Sequence, residues 1–217
     1  MKVEKQKSNL LIQITKFLSP IVIGFSVIAF VGFLMQESLR IKFWPLITAY
    51  FFPPLGKESV IPTGVGLGIN PLVMALSIAF VDIIVALFIL WNYNLAKKIP
   101  LIGKFMVKIE DIGKSSSDKY SWIKPLRFIG IVLFVIVPFQ GSGGLVGSIL
   151  GRLFGMKPWN TFFAITIGAI IGTMIIAYFS EAILSVFIQN FLLGALIVII
   201  LAVIGIMILI YRRNKKK

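Results

Sequence analysis

Pro53-Pro54-Leu55-Gly56-Lys57-Glu58-Ser59-Val60-Ile61-Pro62, running on through Thr63-Gly64-Val65-Gly66-Leu67-Gly68-Ile69-Asn70-Pro71, is the stretch whose reading decides the fold. It lies between apolar runs, yet it holds two charges, four prolines and four glycines. An uninterrupted transmembrane helix does not suit it, because proline removes backbone donors and glycine weakens helical order. A soluble loop does not suit it either, since apolar residues press on it from both sides. The reading left is a re-entrant hairpin, two half-helices meeting at a polar tip within the membrane. Irregular backbone at that depth is tolerated only when it is buried in protein or lines a wet cavity.

The rest of the chain agrees with a membrane setting. Of 217 residues, 58% are hydrophobic and 14% charged, and several apolar runs reach the length of about 18 residues that marks a span. No cysteine and no histidine occurs. That removes disulfides, thiolate chemistry, most zinc sites and a Ser-His dyad. A net charge of +14 reads as cytoplasmic anchoring against anionic lipid, not as a nucleic-acid surface.

Working outward from the tip, the arm before it is Phe43 to Phe52 and the returning arm is Val60 to Ile69, so hairpin 1 covers 43–69. Ten residues reach about 15 Å, half the hydrocarbon layer. A first span, 17–35, precedes it behind a basic start, with Glu37, Arg40 and Lys42 closing it; its apolar core is too long for a cleaved signal. Pro71 to Trp91 forms a second span with Asp82 near its middle. The polar connection 92–127 follows. Within it, 100–114 carries Ile102, Phe105, Met106, Ile109 and Ile112 at steps of three and four, the spacing of an amphipathic surface helix. A second broken unit, 128–155, is interrupted at Pro138-Phe139-Gln140-Gly141-Ser142-Gly143-Gly144. Spans at 158–179 and 183–211 complete an all-α membrane domain of four transmembrane helices and two re-entrant hairpins.

Charge fixes the expected topology. With both termini, the 92–127 connection and the Arg152–Lys157 turn in the cytoplasm, nineteen of the 22 lysines and arginines lie inside, as the positive-inside rule requires. Residues 43–70 must then enter and leave from the outer side, and 128–157 from the inner side. The expected setting is the plasma membrane, multi-pass.

Shifting the first half by 87 residues aligns Gly64 with Gly151, Gly68 with Gly155 and Pro71 with Pro158. The matched units have opposite expected orientation, an inverted repeat of the kind that places a transporter's site where its broken helices meet. Gly143, Gly147, Gly151 and Gly155, then Gly168 and Gly172, recur every four residues. They suit close helix packing, with a glycine-lined path as the other reading.

The candidate substrate- or ion-binding residues are Lys57, Glu58, Ser59, Asp82, Gln140 and Ser142, with Pro54, Gly56, Pro62, Pro138, Gly141 and Gly143 shaping the tips. Each returning half-helix presents its N-terminus to mid-membrane, where free amides and the helix dipole favour an anion. An ionisable group in the membrane is costly and thus a functional candidate. Glu58 fits a proton carrier or a structural cap, and Asp82 fits proton coupling or pairing with Lys57 or a tip amide. Glutamine at Glu58 stops a carrier that needs it and leaves a scaffold intact. Enzyme chemistry fits poorly. The Gln140-Gly141-Ser142-Gly143 sequence has no histidine base, and one intramembrane aspartate makes no dyad.

Glu58-Ser59-Val60-Ile61-Pro62-Thr63-Gly64-Val65-Gly66-Leu67-Gly68 with Asn70-Pro71, Val137-Pro138-Phe139-Gln140-Gly141-Ser142-Gly143, and the middle segment Pro100-Leu101-Ile102-Gly103-Lys104-Phe105 resemble the small multidrug export protein family. The likeness runs from Pro53-Pro54 to about Phe187. It implies export of lipophilic drugs. It also implies a fold similar to the DedA membrane proteins, which pair two re-entrant hairpins and are linked to moving lipid head groups. With helix N-termini and Lys57 at the tips, a secondary transporter or translocase of an anionic, phosphate-bearing lipid is the first expectation, drug efflux the second and a non-transporting scaffold the third. No cofactor is expected. The partners expected are membrane lipids, a small-molecule or lipid substrate, protons and a second copy of the chain, and not nucleic acid.

Overall fold

The computed structural model describes residues 2–52, 55–93, 124–138 and 142–196, with positions 200 and 207. Seven helices follow in order: α1 (Lys2–Leu34), α2 (Glu37–Tyr50), α3 (Lys57–Gly66), α4 (Pro71–Trp91), α5 (Lys124–Ile136), α6 (Gly144–Leu153) and α7 (Pro158–Gln189). Among the described residues there is no strand. Three stretches of the described residues are long and apolar enough to cross a bilayer: Leu11–Leu34, Pro71–Trp91 and Pro158–Gln189. This is a multi-pass membrane protein. α2, α3, α5 and α6 rise about 15–21 Å, well short of the ~30 Å hydrocarbon layer.

α4 begins where its sequence directs. The Asn70 side chain accepts from the Leu72 amide at 2.9 Å and the Val73 amide at 3.4 Å, and Pro71 needs no partner at the first helical position. α4 is also the centre of the bundle. Of its most apolar window 44% is buried, against 17% for α1, so α1 is peripheral and turns Phe25, Phe30 and Phe33 outward. Met74, Ala75 and Ile78 of α4 join Phe43 of α2, Val60 and Ile61 of α3 and Ala177 of α7 in one core cluster. Ala79 and Ala86 join Ile131 and Val135 of α5 and Ala164, Ile165 and Ala169 of α7 in another.

Two half-helices, α3 and α6, have the same length and the same ending. Gly56 and Gly143 are their N-caps, both extended. At the far ends, Leu67 donates to the Thr63 carbonyl at 3.0 Å and Phe154 to that of Leu150 at 2.9 Å. Ile69 then reaches back to Gly64, and Met156 to Gly151, each at 3.0 Å. Gly68 (φ 90°) and Gly155 (φ 73°) make the left-handed turn that this ending requires. The exposed carbonyls are capped by bases from neighbouring segments: Lys42 Nζ reaches Leu67 O at 3.1 Å and Arg127 reaches Phe154 O at 2.8 Å. Each half-helix then lays a glycine on the next helix, Gly64 on Met74 and Gly151 on Thr161. Apart from the two capping bases, which lie 85 residues apart, these features recur at a spacing of 87 residues.

Glycine also lets α5 cross α7. A methyl on Gly168 would stand 2.8 Å from Val132 O, and one on Gly172 would stand 3.0 Å from Ile136 Cα. Gly147 lies against Val135 and Ile165. Gly155 differs from its expected packing role: it lies beyond α6, and its turn geometry, not a neighbouring helix, requires glycine.

Several expected boundaries move. Glu37, Arg40 and Lys42 do not close the first span; they form the opening turns of α2, which starts six residues before the expected arm. Pro62 is not at a tip but inside α3, where the missing amide falls within a helix already short of backbone bonds. Ser180 and Glu181 do not interrupt α7, which continues to Gln189 over about 48 Å; Ser180 bonds its own Ile176 carbonyl, so neither polar residue forces a break. A helical segment at 191–196 follows Asn190. Residues 197–199, 201–206 and 208–211 of the expected 183–211 span, the surface helix at 100–114, and Pro54, Gln140 and Gly141 lie outside the described residues.

Candidate functional site

Four chain breaks or half-helix ends meet beside Asp82, a residue on the buried face of α4. Asp82 Oδ1 accepts two hydrogen bonds, from the Tyr50 hydroxyl at 2.7 Å and from the Gly144 amide at 2.8 Å. Tyr50 is the last residue of α2, and Gly144 is the first of α6. The other oxygen, Oδ2, is buried and has no hydrogen-bond partner. Lys57 opens α3 and donates its ammonium to the Val135 carbonyl in the last turn of α5. Lys57 and Asp82 are each 2% exposed, and their opposite charges act on one another across the cluster.

The geometry follows from local sequence. Asp82 supplies the anion that an α6 N-terminus favours, and Lys57 supplies the cation that an α5 C-terminus favours. Half of the molecule thus caps the broken helices of the other half. Gly143 and Gly144 make the approach feasible. A side chain on Gly143 would meet Asp82 Oδ1 and the Tyr50 hydroxyl, and one on Gly144 would run into the Asp82 backbone carbonyl. Ser142 directly precedes this helix end. It is fully buried, and its hydroxyl has no hydrogen-bond partner among the described residues.

Glu58 and Ser59 serve the first tip differently. Ser59 Oγ accepts from the Gly56 amide at 3.2 Å and donates to the Gly56 carbonyl at 3.0 Å, closing the first turn of α3 on itself. Glu58 folds back over the same turn, since a methyl on Gly56 would strike its carboxylate. Its Oε2 is buried without a partner. Lys57, Asp82, Ser142 and Gly143 are therefore brought together. Glu58 and Ser59 stay with their own turn, and Pro138 ends the α5 arm as an exposed residue.

The expected pairing of Asp82 with a tip amide falls on Gly144; sequence reasoning missed Tyr50 and the Val135 carbonyl. Tyr50 carried a usable signal: it places one hydroxyl in the otherwise hydrocarbon run Tyr50-Phe51-Phe52, and a buried tyrosine hydroxyl finds a partner. The buried hydroxyls of Ser77, Ser148, Thr161 and Thr173 each bond the carbonyl four residues back. No group of three or more acidic, histidine or cysteine side chains could hold a metal among the described residues.

Residues 58–175, over half of the chain, match the sequence model of the family described as "Putative small multi-drug export protein". The chain belongs to the small multi-drug export family. No curated protein and no solved structure matches it. The family match runs from the first turn of α3 into α7, so it takes in Asp82, Ser142, Gly143 and Gly144; Lys57 and Tyr50 lie just ahead of it. Family and apolar helices together make this a membrane protein of transporter type. Beside the polar cluster, the small multi-drug export chain has a wholly apolar cavity of about 270 Å³ between α1, α2 and α4, lined in part by Phe25, Ile47, Phe80 and Phe88.

Proposed function

We propose that this chain is a carrier, not an enzyme, for the phosphate-bearing head group of an anionic membrane lipid. In this reading α2–α3 and α5–α6 are two re-entrant hairpins of an inverted repeat, related in plan to the DedA-like translocases. Their tips meet near mid-membrane. The observation that carries the reading is the surplus of donors at that meeting point. The α6 amide end and the Tyr50 hydroxyl donate to Asp82, the Lys57 ammonium is buried in the same cluster on Val135 O, and the Ser142 hydroxyl, directly before α6, is buried with no hydrogen-bond partner among the described residues. Helix N-termini and a lysine suit an anion, and they oppose a lipophilic cation. Lipid chains have matching surface outside, where α1, α4 and α7 expose long apolar side chains. The apolar cavity beside Phe25 and Phe80 favours drug efflux as the second reading.

The test is transport by purified protein in liposomes. Movement of fluorescent phosphatidylglycerol between leaflets is followed beside a lipophilic cationic dye and protein-free vesicles. The expected result is protein-dependent lipid movement that Ser142→Ala slows about tenfold, the effect of one lost hydrogen bond to a charged group. Because Ser142 Oγ has no hydrogen-bond partner among the described residues, its loss leaves the unfolding midpoint in place. Dye movement without lipid movement replaces this reading with drug efflux. Movement of neither favours a scaffold.

A further inference from the structure

We propose that the Asp82 carboxylate is a resident stand-in for the substrate's phosphodiester, and that it gives up the α6 N-terminus by taking a proton, so that anion and proton occupy the site together. The inference rests on the head-group reading above and adds how that site is regulated and coupled.

An ionised carboxylate is acceptor-only and offers two oxygens, as the non-bridging oxygens of a phosphodiester do. Here one oxygen takes both nearby donors, Gly144 N–H and Tyr50 O–H, and the other has none. The Ser142 hydroxyl, buried at the same helix end, has no acceptor. Donors outnumber what the aspartate uses. Lys57 adds to the excess, since an ammonium has three protons and Val135 O is its one hydrogen-bond acceptor among the described residues. A buried hydroxyl without a partner is costly to leave so, and an arriving anion gives it one.

Charge decides the order of events. The charged and titratable groups that act on Asp82 are Lys57 of α3 and Tyr50 of α2, and Glu58 of α3, folded over its own turn, acts on those two; α1, α6 and α7 bring no charged side chain to it among the described residues. A second anion beside ionised Asp82 would meet strong repulsion at low dielectric. Once Asp82 is neutral, the incoming phosphodiester restores the previous charge, one negative for one negative. The Gly144 amide and the Tyr50 hydroxyl pass from carboxylate to phosphodiester. Anion binding therefore takes up one proton from solution, and binding tightens as pH falls. The opposite coupling, exchange of proton against anion, is excluded by the same count.

The test is calorimetric binding to the purified full chain in detergent, in buffers of different ionisation enthalpy, between about pH 5 and pH 8, where a phosphodiester itself does not titrate. The probes are dimethyl phosphate and dihexanoyl phosphatidylglycerol, the same phosphodiester without and with acyl chains. Affinity is expected to rise by up to about tenfold per unit fall in pH, with one proton taken up per anion. Asp82→Asn, a mimic of the neutral acid, is expected to bind at every pH as the wild type does at low pH, without proton uptake. Tyr50→Phe, which loosens the carboxylate, is expected to move the profile to higher pH. Binding of both probes assigns the site to the head group alone, and binding of the lipid alone assigns it to membrane lipid; either supports the proposal. A pH-independent wild-type affinity, proton release, or no binding by folded wild type and Tyr50→Phe overturns it. Lipid movement that persists with pH-independent binding would overturn this inference and leave the head-group carrier standing.

Discussion

Replacing Asp82 with leucine destabilises the protein by about 3–5 kcal/mol, the cost of leaving one member of a buried charge pair alone. The Gly144 amide and the Tyr50 hydroxyl lose their acceptor, and Lys57 stays in a low-dielectric interior without the charge that faces it. Lys57→Met is expected to cost a similar amount, since it strips Val135 O of its donor and isolates Asp82. The combined variant Lys57→Met/Asp82→Leu is expected to cost clearly less than the two singles added together, because it removes both charges at once. Unfolding midpoints of the four proteins in one detergent measure this. Simple additivity would mean that the two charges do not act as a pair.

A valine at Gly144 is expected to destabilise by about 3 kcal/mol or more, the upper end of overpacking effects. Its Cβ would overlap the Asp82 backbone oxygen, and backbone has no rotamer by which to yield. The α6 N-terminus would have to leave α4, taking the Asp82 hydrogen bond with it. Gly130 in α5 is the control. Nothing lies within 4 Å of a methyl placed there, so Gly130→Ala is expected to stabilise by about 0.5–1 kcal/mol through helix propensity alone. Thermal unfolding of both variants separates them by sign. A tolerated Gly144→Val would place the α6 end away from Asp82.

Much of this was readable in advance, for physical reasons that differ by element. Asn70-Pro71 and Pro158 mark helix starts locally, through a cap and a preset φ, and α4 and α7 begin there. The glycine spacing at 68 and 155 carried the repeated turn, because a left-handed residue is a strictly local demand. The start of α2 was misread since charged residues look like a boundary. Glu37 in the first turn of a helix is instead favourable to it, and Arg40 rests on the Phe33 ring and bonds Met35 O. Ser180 and Glu181 misled for the same reason.

The site was half legible. Asp82 and Lys57 stood out because charge in an apolar run is expensive. Their actual partners are a backbone amide, a backbone carbonyl and one tyrosine hydroxyl. Backbone groups carry no sequence signature, and contacts across 62 and 78 residues are set by how α5 and α6 cross α4. Glu58 looked stronger than it is, since its carboxylate is folded over its own helical turn.

The central claim is that both breaks turn back inside the membrane, so that two helix N-termini face one buried aspartate. The chain has no cysteine, so one introduced thiol reports its own side of a sealed vesicle to a membrane-impermeant maleimide. Ser38, Leu67 and Leu126 are exposed positions at the outer ends of α2, α3 and α5, and Asn160 is an exposed position in the first turn of α7, just after α6. The account predicts that Ser38→Cys and Leu67→Cys label from one side, and that Leu126→Cys and Asn160→Cys label from the other. Labelling of Ser38→Cys and Leu67→Cys from opposite sides would contradict it, because α2 and α3 would then cross the bilayer and the aspartate would have no tip to meet.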